Sequence, residues 1–324
     1  MGFYSRRSFV GGIGAVAITY GSHAAFGAVD PQRSHFKLAV ITDEISPDFD
    51  HACSVVSQDF GFGWVELRGM WGKNLVAMED DDLAKAEQLL TKYKLRVTDI
   101  ASPLLKVDWP DAPRSKYSPK TDTFGASYGF KDQDHVLERC IALAKRFKTN
   151  KVRGFDFWRL DDQAPHRAAI DAKLQETAEA CGKQDVQFVL ENEYECNTAT
   201  GRESARTLGA VKSQSMKLNW DPANAVARGE VDAWPAGWNA LPKDRIAHCH
   251  VKDAVRKGAD GFAWEAVGSG IIDWTAQFKA LKEIGYREGV SLETHWKGGG
   301  TPEASTRASM AGMKKALEQS GTLA

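Results

Sequence analysis

The stretch RIAHCHVKD, residues 245–253, alternates apolar and polar side chains with a period of two. Successive side chains of a β-strand point to opposite faces. His248, His250 and Lys252 would therefore share one face, and the apolar residues between them would share the other. A strand with one polar and one apolar face fits a closed barrel, in which one face lines the interior and the other packs against helices.

Seven further segments are predicted as strands, and helical segments lie between them. The eight strand segments are 36–42, 63–69, 95–101, 151–157, 186–191, 216–221, 245–251 and 288–293. Apolar residues recur every three or four positions, as in amphipathic helices, at 80–93, 132–147, 167–183, 273–285 and 301–319. Strands that alternate with helices indicate parallel βα units. Eight such units predict a single (β/α)8 TIM barrel, a fold of about 250 residues plus insertions, with a doubly wound open sheet as the alternative.

The last four predicted strands each end in a polar side chain of the inward parity, and this favours the barrel. These side chains are Glu191, Asp221, a histidine and Glu293. In barrels of this kind the active site lies at the C-terminal ends of the strands. Three carboxylates that converge without a counter-charge would repel one another and take up protons. A divalent cation removes that conflict; the alternative is a set of separate salt bridges to Lys217, Lys252 and Arg153.

The histidine at the level of these carboxylates is His250. Two residues along a strand span about 6.6 Å, so His248 lies deeper and is predicted as a hydrogen-bonded interior group. Lys252 and Asp253, which follow His250, are placed at the rim. Three carboxylates and one imidazole suit Mn²⁺ first, with Mg²⁺, Co²⁺ and Zn²⁺ as alternatives.

The N-terminal residues are typical of an export signal. Residues 1–28 combine Arg6 and Arg7, an apolar run without acidic residues, and small residues near Ala28. This layout indicates a removable signal rather than a membrane span, and SRRSF (5–9) points to the twin-arginine (Tat) export machinery. We therefore predict a signal peptide over 1–28, a barrel domain over 29–324 and a periplasmic or extracellular protein without stable membrane insertion.

Composition limits the classes of partner. The chain has 324 residues, 43% of them hydrophobic, with 42 basic and 43 acidic residues, and loss of residues 1–28 would leave a net charge of −3. This balance argues against nucleic-acid partners, and a nuclease would need more than the eight histidines present. The five cysteines lack CxxC spacing and are predicted as buried thiols, with one disulfide as the alternative in an oxidising compartment. The oligomeric state stays open, a homo-oligomer included.

Seven segments, in this order along the chain, resemble a known family. They are DEISPDF (43–49), GFGWVELRG (61–69), VLENE (189–193), NWDPAN (219–224), HCHVKD (248–253), VGSGIIDW (267–274) and GYREGVSLE (285–293). The family is that of the xylose-isomerase-like TIM barrels, also described as sugar phosphate isomerases/epimerases. The resemblance covers essentially the whole chain after the predicted signal.

The resemblance implies one divalent metal ion, held by Glu191, Asp221, His250 and Glu293. It implies that Glu191 and Glu293 also form the acid/base pair. It implies further that Arg256, six residues after His250, touches substrate oxygens.

Two positions depart from the family pattern. Members often carry a histidine where this chain has Asn224, three residues after Asp221, and where it has Glu193, two residues after Glu191. Asn224 is therefore assigned to the substrate site. The orientation of the substrate is less well fixed by the resemblance than metal binding is.

The chemistry implied is proton transfer at a carbon beside a carbonyl group. Such a site would bind adjacent hydroxyl and carbonyl oxygens of a sugar and stabilise an enediolate. Return of the proton to the same carbon gives an epimer, and return to its neighbour gives an isomer. Expulsion of a β leaving group would give a lyase on a keto-sugar or 3-ketoglycoside, and a non-catalytic sugar-binding barrel is the alternative from another class. Export argues for an unphosphorylated sugar or sugar derivative.

Four further residues are predicted to contact the substrate: Glu66, Lys106, Trp158 and His295. Glu66 has inward parity, with a structural pairing to Arg68 as the alternative. Lys106 and Trp158 follow the third and fourth strands, where an aromatic ring can stack on a sugar, although ordinary packing is an equal alternative for the ring. His295 follows the last carboxylate by two residues and can donate to a hydroxyl group, unless it is a solvated loop residue.

Overall fold

The computed structural model describes residues 34–110, 112–118, 128–258 and 261–323. The predicted signal peptide lies outside these ranges and stays a prediction. Eight strands match the eight predicted segments: β1 Lys37–Val40, β2 Trp64–Leu67, β3 Arg96–Leu104, β4 Lys151–Gly154, β5 Gln187–Glu191, β6 Met216–Trp220, β7 Ile246–Val251 and β8 Gly289–Leu292.

The eight strands form one parallel sheet that curls into a nearly closed barrel. Their order is β1, β8, β7, β6, β5, β4, β3, β2, and the neighbours pair in parallel. A parallel bridge between Ile41, just after β1, and Glu66 on β2 brings the two end strands together. The prediction of a (β/α)8 barrel is confirmed, and the open sheet is excluded.

Helices follow every strand and form the outer layer. They are α1 Phe49–Ser54, α2 Asp80–Lys92, α3 Gln133–Arg146, α4 Arg167–Gly182, α5 Gly201–Ala210, α6 Pro222–Arg228, α7 Trp238–Ala240, α8 Trp274–Glu283 and α9 Pro302–Gln319. The five predicted helices agree with α2, α3, α4, α8 and α9 to within two residues at each end.

Local chemistry fixes where the helices begin. α5 starts with a capping box, in which the Thr200 hydroxyl accepts from the Glu203 N–H and the Glu203 carboxylate accepts from the Thr200 N–H. α9 starts with Pro302 after the cap Thr301, because proline costs nothing at the first helical position.

Strand alternation places the side chains as predicted. Trp220 on β6 points outward, and its Nε1–H donates to Gln277 on α8 over 2.9 Å. Its neighbour Asn219 points inward, with Oδ1 3.2 Å from Nδ1 of His248 on β7. An apolar layer between the strands and the helices surrounds the barrel. The polar inner face is thereby shielded from water by the rest of the fold.

Two antiparallel hairpins extend the C-terminal end of the barrel. The β2 hairpin pairs Gly69–Met70 with Lys73–Asn74, and the β7 hairpin pairs Asp253–Lys257 with Gly261–Glu265. The sequence did not predict either hairpin, and both form walls above the strand ends.

Asp253 is buried at the base of the β7 hairpin rather than at the rim. Its carboxylate accepts backbone N–H groups of Gly268, Gly270 and Ile272 at 2.9–3.2 Å. The segment VGSGII is therefore tied to the end of β7, and the predicted rim position is wrong.

The cysteine prediction is confirmed. All five cysteines are free and buried. Among the helices of the described ranges, none combines the length and the apolar character needed to cross a bilayer.

Candidate metal centre and active site

Four polar side chains from four neighbouring strands meet at the C-terminal mouth of the barrel. They are Glu191, Asp221, His250 and Glu293, each with one ligand atom within 4.8 Å of the others. Nδ1 of His250 lies 3.2 Å from Glu191 Oε1, 3.3 Å from Glu293 Oε2 and 3.8 Å from Asp221 Oδ2. The structure brings together all four residues predicted as metal ligands. We call this set the ring.

Asp221 owes its position to two neighbours. As the cap of α6, its Oδ1 accepts the Asn224 N–H over 2.9 Å. The Asn192 amide accepts the Asp221 N–H over 2.8 Å and donates to the Asp221 carbonyl over 2.7 Å. With the backbone and Oδ1 engaged, Oδ2 is left to face the ring.

Glu66 lies beneath the ring and supports His250. Its two oxygens are 3.0 and 3.1 Å from His250 Nε2, and its side chain is fully buried. The prediction that Glu66 contacts the substrate is therefore corrected, because its carboxylate is used on the imidazole. The alternative pairing with Arg68 is also wrong, since Arg68 bonds Asp43 and Glu44.

His248 occupies the layer below, as predicted. Its Nδ1 lies 3.2 Å from Asn219 Oδ1, and its Nε2 lies 3.3 Å from Thr98 Oγ1 and from Asp99 Oδ1. Burial lowers the pKa of His248 to about 3, so the imidazole is neutral at physiological pH. Both nitrogens are engaged away from the ring.

Lys252 is the nearest cation to the ring. Its Nζ lies 2.6 Å from Glu293 Oε2 and 2.9 Å from Asp221 Oδ2, and the residue is 1% exposed. The predicted rim position of Lys252 is wrong. A buried ammonium between two carboxylates stands beside the place that a metal ion would take.

Two arginines complete the charge balance. Arg153 NH1 lies 3.1 Å from Glu191 Oε2, and Arg68 NH1 lies 3.1 Å from Glu293 Oε1. Lys217, the other cation considered for these carboxylates, donates to the Asp244 carbonyl instead. Salt bridges therefore accompany the cluster, while the carboxylates still converge on one imidazole.

The surroundings shift the pKa values of the ring residues in different directions. Burial raises the pKa of Asp221 to about 6, against the attraction of Lys252. Burial would also raise the pKa of Glu191, but the charges of His250 and Arg153 lower it to about 2. For His250, burial would lower the pKa, yet the carboxylates around it raise it well above its usual value. The carboxylates of Glu191, Asp221 and Glu293 thus stabilise a positive charge at the point where they meet.

The donor set fits a divalent cation. Three buried atoms of the ring lack a hydrogen-bond partner: Glu191 Oε2, Asp221 Oδ2 and His250 Nδ1. The two oxygens have ion-pair neighbours, but neither accepts a hydrogen bond. Buried polar atoms almost always find a partner, so their convergence indicates ligand positions. Three carboxylates with one imidazole suit Mn²⁺, Mg²⁺ or Co²⁺.

Two other groups in the described residues have metal-ligand spacing, and each shares a member with the ring. The lower group is Glu66, His248 and His250, which are engaged with one another or with neighbouring groups. The outer group is Glu44, Glu293 and His295, with Arg68 2.6 Å from Glu44 Oε1. The ring combines the largest donor set with the three ligand atoms that have no hydrogen bond.

Asn224 reaches the ring from α6. Its Nδ2 donates to Glu191 Oε1 over 3.2 Å, while its Oδ1 is buried without a hydrogen bond. The amide therefore positions one carboxylate and offers an acceptor nearby. Its contact with substrate stays a prediction.

Glu193, at one of the two positions that depart from the resemblance, pairs with Lys106. Lys106 Nζ lies 3.2 Å from Glu193 Oε2, and both side chains are 7% exposed. Trp158 is buried against Phe155 and Cys196, so packing accounts for its position, and its contact with a sugar stays a prediction. The contact of Lys106 with substrate stays a prediction.

His295 lies between the ring and an open cavity. Its Nε2 is 3.3 Å from Glu293 Oε1, and it lines the cavity together with Arg68 and Trp264. This position is consistent with a contact to a substrate hydroxyl group and argues against a solvated loop.

Arg256 lies on the β7 hairpin. Its guanidinium donates to the Val226 carbonyl of α6 over 3.4 Å. The structure thus places it against α6 on the hairpin wall, and its contact with substrate stays a prediction.

Sequence comparison assigns the chain to a family. The model of the xylose isomerase-like TIM barrel family matches residues 56–316, a span that contains every ring residue. The protein belongs to this family. No curated protein matches the xylose isomerase-like chain closely enough to count as a relative.

Solved structures share the fold of this xylose isomerase-like barrel. A xylose isomerase-like TIM barrel protein from Mycobacterium smegmatis, in complex with magnesium, is 13% identical, with a TM-score of 0.63 over 90% of this chain and 99% of that one. D-psicose 3-epimerase with D-tagatose from Clostridium cellulolyticum H10 is 16% identical, with a TM-score of 0.60 over 88% and 98%. The probable 3-DHS dehydratase AsbF from Bacillus anthracis is 20% identical, with a TM-score of 0.60 over 86% and 98%.

Sequence reasoning placed one cation of this xylose isomerase-like site too far out and missed another. Lys252 shares the inward parity of His250, which was the available signal, but a lysine at a strand end is ordinarily exposed. Arg68 joins Asp43, Glu44 and Glu293 across three segments of the chain. No local pattern marks such a contact.

Proposed function

We propose that the protein is a divalent-metal-dependent enzyme that isomerises or epimerises an unphosphorylated sugar or sugar derivative. The ring carries this proposal, since it sets four ligand atoms within 4.8 Å of one another at the active-site end of the barrel. The magnesium in the Mycobacterium smegmatis structure and the epimerase among the structural neighbours support it.

The ring residues would hold one cation, Mn²⁺ first, with Mg²⁺, Co²⁺ and Zn²⁺ as alternatives. Bound in such a site, a divalent ion polarises a carbonyl group and stabilises negative charge on its oxygen. Glu66 would keep the His250 imidazole oriented toward that ion, with Nε2 as the protonated nitrogen.

Glu191 and Glu293 would transfer the proton of the carbon beside the substrate carbonyl group. They come from β5 and β8, the outer two of the four strands, and flank His250 Nδ1 at 3.2 and 3.3 Å. A carboxylate within hydrogen-bond reach of the carbon beside the carbonyl can remove its proton. The partner carboxylate, once protonated, returns a proton to the same carbon for epimerisation or to the neighbouring carbon for isomerisation.

Three basic groups would keep Glu293 ionised. Burial would raise its pKa, but Lys252, His295 and His250 lower it well below its usual value. Glu293 is therefore ionised and able to act as the base, while His295 faces the cavity and can donate to a substrate hydroxyl group.

A lyase is the second candidate, favoured by the cavity that adjoins Glu293 through Arg68 and His295. The same proton removal beside a carbonyl would be followed by loss of the group at the β position, which leaves with the bonding electrons and takes a proton from an acid. The dehydratase among the structural neighbours is consistent with such an elimination. A keto-sugar or 3-ketoglycoside would be its substrate.

Export remains part of the proposal, and it is why an unphosphorylated substrate is preferred. Phosphorylated sugars are normally retained in the cytoplasm. Replacement of Arg6 and Arg7 by lysine should retain the protein in the cytoplasm, as measured by cell fractionation. Normal export of that variant would remove this argument.

The proposed function is tested by NMR in heavy water with Mn²⁺-loaded protein and a panel of aldoses, ketoses and keto-sugars. We expect deuterium at one carbon beside the carbonyl, and the product separates epimerase, isomerase and lyase. Glu191→Gln and Glu293→Gln should each reduce the exchange by about 100-fold or more.

Glu288→Gln is the matched control, since Glu288 lies at the opposite end of β8 and pairs with Lys37 and Lys151. It should leave exchange unchanged. Unaltered exchange in both ring variants would overturn the proposal, and sugar binding without any exchange would favour the non-catalytic barrel.

A further inference from the structure

A cavity of about 950 Å³ opens beside the ring. Its walls come from the loop after β1, the β2 hairpin, the β7 hairpin and the loop after β8. Pockets that enclose drug-sized ligands measure roughly 300–1,000 Å³. A single pyranose is smaller than such a ligand, so the cavity offers more room than one sugar ring fills.

The inner end of the cavity is joined directly to the ring. Arg68 and His295 line it, and both contact Glu293 Oε1, at 3.1 and 3.3 Å respectively. A molecule whose reacting carbon lies near Glu293 would therefore extend its remaining part past these two side chains. The cavity and the ring form one continuous site.

Trp264 stands at this junction and is held from several sides. Lys252 Nζ lies 5.1 Å from its ring centroid, and the rings of Phe262, Tyr194 and His295 contact it at 4.8, 5.8 and 5.2 Å. The Trp264 indole remains partly exposed and lines the cavity. Because its orientation is fixed before a ligand arrives, stacking on it costs little conformational entropy.

The outer part of the cavity carries a second tryptophan. Trp296 lines the wall together with the buried Met70. The Trp296 ring packs against Gly298, where an added Cβ would lie 2.3 Å from it. The cavity thus presents two indole rings, a surface suited to the apolar faces of sugar or aromatic rings.

We propose that this cavity binds a second unit of the substrate, the aglycone or adjoining sugar of a glycoside, and that Trp264 is its stacking platform. This inference rests on the proposed function and narrows its substrate class to glycosides that carry a keto group, since the anomeric carbon of a glycoside is an acetal and offers no carbonyl. The reacting sugar lies against the four ring residues at the mouth of the barrel. Its substituent lies along Trp264 toward Trp296.

The test uses Mn²⁺-loaded full-length protein and pairs of probes that differ only in the second unit: free D-glucose and D-galactose, and their phenyl β-glycosides. Isothermal calorimetry measures each affinity. We expect the phenyl glycoside of at least one pair to bind about tenfold or more tightly than its free sugar. Trp264→Ala should abolish that difference, and Trp264→Phe should retain most of it.

Trp64→Phe is the control, since Trp64 lies at the other end of the barrel and stacks on Lys37 and Arg96. It should preserve the preference for glycosides. Equal affinities within both pairs, or a glycoside preference that survives Trp264→Ala, would overturn the proposal. Failure of the proposed function is separate, since it would appear as absence of Mn²⁺ binding or as absence of solvent exchange with every keto-sugar, with or without a second unit.

Discussion

Both carboxylate oxygens of Glu66 lie within 3.1 Å of Nε2 of His250. The charge of His250, with a contribution from Arg153, lowers the pKa of Glu66 to about 2 despite its burial, so the carboxylate is ionised and can only accept. Nε2 must carry the proton. The pKa of His250 is raised well above its usual value, so Nδ1 also carries a proton in the absence of a metal ion. Loss of that proton to solvent on metal binding would leave Nδ1 as the ligand atom and Nε2 as the protonated nitrogen, which is the tautomer a metal ligand needs.

Glu66→Gln tests this support. The amide retains the shape of the side chain but not its charge, so the imidazole becomes a weaker ligand. Loss of such a partner typically costs 10–100-fold in metal affinity, and we expect Mn²⁺ affinity to fall by about tenfold or more in a calorimetric titration. An affinity equal to that of Glu288→Gln would contradict the role assigned to Glu66.

Lys252 is placed to compete with the proposed metal ion for Asp221 and Glu293. Lys252→Met removes the ammonium that lies 2.6–2.9 Å from these carboxylates. We expect Mn²⁺ to bind about tenfold more tightly. The metal-free variant should lose about 3–5 kcal/mol of stability, since its buried carboxylates lose a partner, and Mn²⁺ should restore much of it.

Lys151→Met is the matched control for Lys252. Lys151 is also buried, but it pairs with Glu288 at the other end of the barrel. Its loss should lower the melting temperature without a change in Mn²⁺ affinity. Weaker Mn²⁺ binding by Lys252→Met would show that the lysine supports the metal instead of competing with it.

Asp253 holds the loop that follows the β7 hairpin. Its carboxylate accepts four backbone N–H groups, including that of Ala254, and hydrogen bonds to a charged group contribute about 1.5–3 kcal/mol each. Asp253→Ala should lower the free energy of unfolding in urea by about 3 kcal/mol or more, and Asp253→Asn by less. A loss below 1 kcal/mol in the alanine variant would contradict this role.

The five thiols should be inert in the folded protein. Burial raises the pKa of Cys140 and of Cys181 to about 12, and only the thiolate reacts. We expect no labelling by iodoacetamide at pH 8 and five labelled thiols after denaturation under non-reducing conditions. Fewer labelled thiols in the denatured protein would reveal a disulfide.

The fold could be predicted because its signals are local. Each strand carries a period of two, and the long helices carry a period of three to four residues. Short helices such as α1 and α6 give too few turns for such a pattern. The same parity placed the four ring residues, since it depends only on which side chains of a strand share a face.

The contacts around the ring could not be predicted, because they join distant parts of the chain. Glu66 and His250 are 184 positions apart, and parity showed only that both point inward. The depth of Lys252 was missed for a similar reason: its burial depends on carboxylates from two other strands and on Trp264. Which side chains meet across the barrel depends on how its eight strands close, and the local sequence pattern does not show this.

Calorimetric titration of Mn²⁺ into Asp221→Asn and His248→Asn tests the central claim most directly. Asp221 belongs only to the ring, whereas His248 belongs only to the lower group. With folding of both variants verified by circular dichroism, Asp221→Asn should lose Mn²⁺ binding and His248→Asn should keep it. Retained binding by Asp221→Asn together with loss in His248→Asn would contradict a metal centre at the mouth of the barrel.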